Sequence, residues 1–304
     1  MIAKGTEILD LYDCFAEWYD LLYLAQGVKK QAFNPKTVEA FDTLFRELGV
    51  ERILDCACGT GDPILGLFRL DNRPYQVVGS DGSGGMLSIC RKNAEKEGIY
   101  VSESIHESAP SILPLVQCTW NDLDFTFGDE RFDLVMCRGH GLYHLITREA
   151  IVNALRKIAR ITTEGGWVLF DTVRWKLGPD KTVCGEEGRD HVKWRGWIDL
   201  KSNPDLRLPP GSAEFDKLLF VDVTNFRPDE KAAGRVVQTK TVFVLGERGD
   251  ELQQLDRLSA LGAAFSSEEG KSLLEEAGLK DVHEFESKEH PVLRHWTIIM
   301  GRKS

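Results

Sequence analysis

The residues with the clearest chemical potential are a short glycine-rich stretch, Asp55-Cys56-Ala57-Cys58-Gly59-Thr60-Gly61, and an acid, Asp81, about 20 residues further on. Glycines in such a turn let the backbone bend tightly and approach a ligand without a Cβ in the way. Asp81 ends the apolar run Val77-Val78-Gly79-Ser80, where an acid can accept hydrogen bonds from the two ribose hydroxyls of an adenosine cofactor. The competing reading is that Asp81 caps a helix beginning near Gly84. The loop spacing is Asp-x-Ala-x-Gly-x-Gly, followed by Asp62-Pro63, and not the G-x-G-x-x-G of a dinucleotide site. An aspartate there would repel a pyrophosphate, whereas a cationic sulfonium cofactor tolerates Asp55.

Positioning these residues takes alternating strands and helices. The first 50 residues read as helical, with Phe41, Leu44, Phe45 and Leu48 at helical spacing and Gly49 as the stop. Strands are predicted at 52–55, 76–80, 115–119, 132–137 and 167–171, with helices at 64–70, 86–98 and 149–161. Continuous apolar strands of this kind belong to a parallel sheet covered on both faces. After Asp171 longer β-like segments, 193–200, 217–226 and 235–245, read as an antiparallel insertion. A helical pattern returns at Leu252 and again at 267–277, the latter with an acidic first turn after Ser266. Strands from Asp281 and over 295–300 complete the sheet. The expected fold is therefore α/β, a doubly wound, mostly parallel sheet of seven strands with an antiparallel β cap after the fifth. The expected division is a helical lid at 1–48, a cofactor-binding core at 49–171, a substrate insertion at 172–247 and a core-completing segment at 248–304.

Composition narrows the function classes. The chain has 304 residues and a net charge of −10, with no basic block, which argues against a nucleic-acid partner. No apolar run reaches ~18 residues, so no membrane partner is expected, and the first ten residues lack the apolar stretch of a secretory signal. The seven cysteines, Cys14, Cys56, Cys58, Cys90, Cys118, Cys137 and Cys184, form no CxxC pair. Neither a metal nor a disulfide framework is expected, and a reducing cytoplasm is the simplest home.

The segments ILDCACGTG, VVGSDGSGGML, VQCTWNDL, FDLVMCRGHGLYHL and GGWVLFD, in that order, resemble the class I S-adenosylmethionine-dependent methyltransferases. Ala57 stands where that family's loop has its first glycine. CRGHGLYHL and CTWNDL are more closely similar to the glycine and sarcosine N-methyltransferases, with Gly139, His144 and Trp120 matching and His140 in place of the usual Asn. Asp171-Thr172-Val173-Arg174-Trp175 departs from that group's D-x-R-N-Y: Arg174 falls one place late and Trp175 replaces the Tyr.

The resemblance implies S-adenosylmethionine as cofactor and S-adenosylhomocysteine as product. It implies that Asp55, Ala57, Gly59 and Gly61 shape the methionine side. Asp81, with Gly82, would hold the ribose, and Met86, Thr119, Trp120 and Asn121 would border the adenine. Backbone groups of Cys137 and Gly139 would face the methionine, with His144 nearby. His140 is a candidate base or substrate contact, or makes a structural hydrogen bond; its spacing to His144 also admits a metal pair, but no third ligand is evident. Tyr12 and Tyr19, on the segment before the core, are candidates to meet the sulfonium or the acceptor, or pack as ordinary aromatics. Arg174 is a candidate carboxylate grip, and Trp175, Trp194 and Trp197 are candidate pocket walls. The expected reaction is methyl transfer to the nitrogen of a small amine or amino-acid-like molecule. Transfer to oxygen or sulfur, nicotinamide-dependent oxidoreduction and non-catalytic cofactor binding are the rivals. A homo-oligomer is left open.

Overall fold

The computed structural model describes residues 6–25, 35–106, 111–172, 176–177, 183–184, 191–228, 235–285 and 297–304. Two helices come first, α1 (Thr6–Ala25) and α2 (Pro35–Leu48). The core then alternates β1 (Arg52–Asp55), α3 (Ile64–Arg69), β2 (Gln76–Asp81), α4 (Gly84–Lys96), β3 (Tyr100–Ser102), β4 (Ile112–Gln117), α5 (Leu123–Phe127) and β5 (Phe132–Cys137). A 3-10 turn at Gly141–His144, α6 (Arg148–Ile161) and β6 (Thr162–Thr172) follow.

These strands join an eight-stranded sheet of order β13-β14-β6-β5-β1-β2-β4-β3, in which β14 (Thr297–Arg302) alone runs against the others and pairs antiparallel with both β6 and the edge strand β13 (Lys280–Phe285). Side chains alternate across it, so each strand feeds two cores. Leu54, Val135, Val168 and Phe170 pack under α6 and α7 (Ser267–Glu276) on one face. Ile53, Val77, Leu134 and Met136 pack under α2, α3 and α4 on the other. The strand order reverses at β1, which lies between β2 and β5, and the carboxyl ends of these three strands bear Asp55, Asp81 and Cys137. Such a reversal opens the crevice in which α/β sheets bind ligands.

Between β6 and α7 lie the short strands β7 (Lys176–Leu177) and β8 (Val183–Cys184), then β9 (His191–Asp199), β10 (Lys217–Pro228), β11 (Arg235–Arg248) and β12 (Glu251–Phe265). The last four form an antiparallel cap sheet of order β12-β11-β10-β9. Helix α1 lies between cap and core. Phe15, Trp18, Leu21 and Leu22 pack on Ile198, Leu218, Phe220, Val242, Val244 and Leu258 of the cap. Its Ala16, Tyr12 and Tyr19 meet Met86 and Ile89 of α4.

Three expectations need correction. The sheet has eight strands, not seven: β3 is a three-residue edge strand, too short to leave a period in the sequence. The strand expected at 115–119 begins at Ile112 and ends at Gln117. The segment from Leu252 is strand β12, not helix, so the cap sheet runs past residue 247 to Phe265. Its Leu, Gln and Ala content favours helix, but pairing with β11 from Arg248↔Glu251 to Arg235↔Phe265 overrides that preference. The two-residue Gly249-Asp250 turn, with Gly249 at φ +60°, was the available sign of a hairpin.

Candidate active site

The site begins with Asp55, the last residue of β1. It is fully buried, and its Oδ1 accepts from the Ala57 N–H at 3.1 Å, which folds the loop back over the strand end. Its Oδ2 has no partner among the described residues. Burial raises its pKa to about 7, against the opposing influence of Arg138. A buried, half-satisfied carboxylate is costly unless a cationic group completes it. Gly61, at φ +110°, holds the loop in a conformation that side-chain-bearing residues rarely adopt, and a Cβ there would lie 2.6 Å from Leu65 Cδ1.

Asp81 closes the opposite wall. Its Oδ2 accepts from Gly59 N–H at 2.9 Å, and its Oδ1 from Ser83 N–H at 2.9 Å. The cap of α4 is Ser83, whose hydroxyl accepts from Met86 N–H at 3.0 Å. Asp81 is thus not the helix cap; it ties the two loops together and retains lone pairs for hydroxyl donors. Burial raises its pKa as well.

Helix α1 is fastened to both loops. Asp13 Oδ1 accepts from Ser83 Oγ at 2.5 Å and from Gly85 N–H at 2.7 Å. Asp20 accepts from Thr60 Oγ1 and Asn93 Nδ2, both at 2.7 Å. A Cβ on Gly85 would stand 2.7 Å from Asp13 Cα, so only glycine permits this approach. Sequence reasoning missed both acids; their seven-residue separation, two helical turns on one face, was the signal.

The third wall follows β5. Gly139 and His140 both have positive φ, +68° and +61°, and their N–H groups donate to the two oxygens of Asp171 at 3.0 and 2.9 Å. The Gly139 N–H is therefore committed to Asp171, which leaves its carbonyl as the backbone group of that residue able to face a methionine. The same contact makes Asp171 the support of this turn, a role the sequence did not reveal. The His140 ring stacks on Tyr143 at 5.0 Å, with Nε2 buried and unpartnered. His144 Nε2 lies 3.0 Å from Tyr12 Oη, and its Nδ1 is buried and unpartnered. Burial, then Lys240, lowers the His144 pKa to about 4, so the ring is neutral at pH 7. Burial holds the Tyr12 and Tyr19 hydroxyls protonated by raising both pKa values, and Tyr19 Oη lies 3.3 Å from Tyr23 Oη. Tyr12 and Tyr19 meet edge to face at 6.3 Å.

The remaining expected residues are placed unevenly. Thr119 approaches Gly82 and bonds Asp122 at 2.6 Å. Trp120 Nε1 donates to the Cys56 carbonyl at 3.1 Å, and its ring adjoins Gly141. Asn121 is exposed, and Met86 packs beneath α1. Cys137 is buried at the end of β5, with its Sγ beside Gly141. Trp197 does not wall the crevice: it is 45% exposed on the cap face away from α1, with Lys217 Nζ 5.7 Å from its ring centre. Trp194 lies in β9 with its side chain outside the described residues, as are Arg174 and Trp175.

Residues 53–166 match the family described as a methyltransferase domain. The glycine/sarcosine N-methyltransferase of Aphanothece halophytica is 28% identical over 58% of this chain and 59% of its own length. The chain spans a little over half the length of the curated relatives it matches. Among solved structures, DesVI of Streptomyces venezuelae superposes with a TM-score of 0.60 at 19% identity, covering 95% of this chain and 98% of that one. An S-adenosylmethionine-bound amino pentose methyltransferase from Micromonospora echinaspora gives 0.59 at 15% identity, covering 94% and 97%. Residues 53–166 thus match a methyltransferase domain, and the sheet order is the fold shared with these structural neighbours. The Micromonospora echinaspora structure holds S-adenosylmethionine, and the unpartnered Asp55 oxygen and Asp81 would suit a ligand with an ammonium at one end and ribose hydroxyls at the other.

Proposed function

We propose that this protein transfers a methyl group from S-adenosylmethionine to the nitrogen of a small amine or amino-acid-like acceptor. The carrying observation is Asp81, held by Gly59 and Ser83 at the switch point with its remaining lone pairs turned to the crevice that α1 covers. In this reading Asp81 binds the ribose hydroxyls and Asp55 holds the methionine ammonium. When bound, S-adenosylmethionine supplies a methyl carbon already activated by its sulfonium.

The chain's own task is then alignment and exclusion of water. Helix α1 covers the loops through Asp13 and Asp20. The protonated hydroxyls of Tyr12 and Tyr19, with neutral His144, give a polar but uncharged surface suited to an amine attacking in its neutral form. His140, aimed by the Asp171-supported turn, would contact the acceptor or take its proton at the unpartnered Nε2. Arg174 would orient an acidic group of the acceptor. The name of the Aphanothece halophytica protein, a glycine/sarcosine N-methyltransferase, supports nitrogen as the methylated atom. The test is calorimetric titration of wild type and Asp81→Ala with S-adenosylmethionine and S-adenosylhomocysteine, followed by turnover on small amines and amino acids. Absence of cofactor binding to wild type would sink the proposal, as would Asp81→Ala binding with undiminished affinity.

A further inference from the structure

The cap sheet changes character along its inner face. Cross-strand register puts Phe220 beside Val244, then Asp222, Val242 and Leu258 in one row, then Thr224, Lys240 and Ala260 in the next, and Gln238 beside Gly262 beyond that. The Val242 and Leu258 row packs on α1. Gly262 abuts the Tyr143 carbonyl, which a Cβ would meet at 3.2 Å. The Lys240 row therefore lies between the lid helix and the 3-10 turn, where Tyr12 of the one meets His144 of the other.

Asp222 is fully buried in this face. Its carboxylate accepts from Arg195 Nη2 and, at 2.7 Å, from Thr224 Oγ1, and Lys240 Nζ stands 3.6 Å from its Oδ2. A buried charge cluster contributes little net stability, because desolvation offsets the attraction. Two cations around one carboxylate leave a single positive charge, and Lys240 is the looser partner, with donors to spare and a side chain 38% exposed. Tyr12 feels the charge of Asp81 and its partner His144 feels that of Lys240, so the Tyr12–His144 pair stands between the cofactor-loop acids and this lysine. The crevice is thus acidic at the strand ends and basic at the cap.

We infer that Lys240, positioned by Asp222, is an acceptor-binding residue that receives a carboxylate, so that the acceptor is an amine bearing an acidic group with its nitrogen toward the cofactor loops. This rests on the methyl-transfer reading above and names a specificity residue for it on the cap, in addition to Arg174. The unpartnered Nδ1 of His144 leaves a second polar atom in the same gap.

Acetate is the probe, titrated calorimetrically into the full-length protein with and without saturating S-adenosylhomocysteine, for wild type, Lys240→Met and Lys240→Arg. Acetate is expected to bind wild type and Lys240→Arg, and to bind Lys240→Met at least about 10-fold more weakly, the scale of one charge-assisted hydrogen bond. Affinity for S-adenosylhomocysteine should be the same in all three, which also shows that the variants are folded. Equal acetate affinity in wild type and Lys240→Met, or no acetate binding to wild type, overturns the assignment. Failure of S-adenosylhomocysteine to bind wild type overturns the cofactor reading instead, and the acetate titration without it still decides the role of Lys240.

Discussion

The two larger sheets of this molecule face the same crevice but equip it differently. The core sheet is parallel and buried on both sides, so its strand interiors are committed to packing and only their carboxyl ends meet ligand. There, turns aim backbone N–H groups at carboxylates: Gly59 and Ser83 at Asp81, Ala57 at Asp55, Gly139 and His140 at Asp171. The cap sheet is antiparallel and presents a whole face, on which side chains set the character row by row, apolar under α1 and charged beyond it. A cofactor common to many enzymes suits the backbone-built half, and a particular acceptor suits the half whose side chains can change without disturbing a turn.

The sharpest way to break this contrast is Asp81→Ala. It should weaken S-adenosylhomocysteine binding about 100-fold, the loss of two hydrogen bonds to a charged group, while leaving the far-UV spectrum unchanged. A loss under threefold would remove Asp81 from the cofactor half. Next in size is an effect of pH at the seam. His144 binds its proton with a pKa of about 4 when folded and 6.5 when unfolded, so between those values the unfolded chain holds more protons. Its contribution to stability is complete above pH 6.5 and is lost as pH falls toward 4. That gap corresponds to roughly 3 kcal/mol, reduced to about 2 by the ring's partial exposure. Asp55, with its raised pKa, titrates in the opposite sense over the same range, so the wild-type denaturant midpoint minus that of His144→Gln, followed from pH 4 to 7, isolates the His144 contribution, and this difference should increase as pH rises toward 7.

Smaller still is Gly85→Ala, which pushes the lid from its loop. Cofactor affinity should fall about 10-fold through the lost Asp13 bonds, with the acceptor effect following from lid displacement. Undiminished cofactor affinity would mean that α1 belongs to the cap alone. The least effect is expected from Trp197→Ala on the outer cap face, within about 0.5 kcal/mol in stability and with acceptor KM unchanged. A raised KM would return Trp197 to the pocket and show that both faces of the cap serve the acceptor.

The same contrast explains what could be read in the sequence. The glycine spacing of residues 55–61 and the acid at Asp81 write the cofactor half into a local order of residues, because tight turns demand particular residue types. The capping role of Ser266 and the stop at Gly49 were legible for the same reason. The cap resisted because antiparallel register is largely a non-local property: the Gly249-Asp250 turn alone marks Leu252 as the partner of Glu247, and nothing near Lys240 marks it as facing Thr224 and Asp222. Trp194 and Trp197, three residues apart, read as a pair of which only one could face in, but the bulge between Phe220 and Val221 breaks that alternation and pairs Trp197 with Leu219 and Trp194 with Val221. Asp13 and Asp20 were hidden differently, since acids on a helix ordinarily face water.

Those two acids also bear on timing. If a nucleoside binds at Asp81 as proposed, a helix that bonds Ser83, Gly85, Thr60 and Asn93 while lying on a separate sheet would release four hydrogen bonds before the nucleoside left from beneath it. Product departure would then be clocked by the opening of α1 and not by the strength of the ribose contacts, so that Asp20→Asn quickens the exchange of spent cofactor even where its equilibrium affinity changes little.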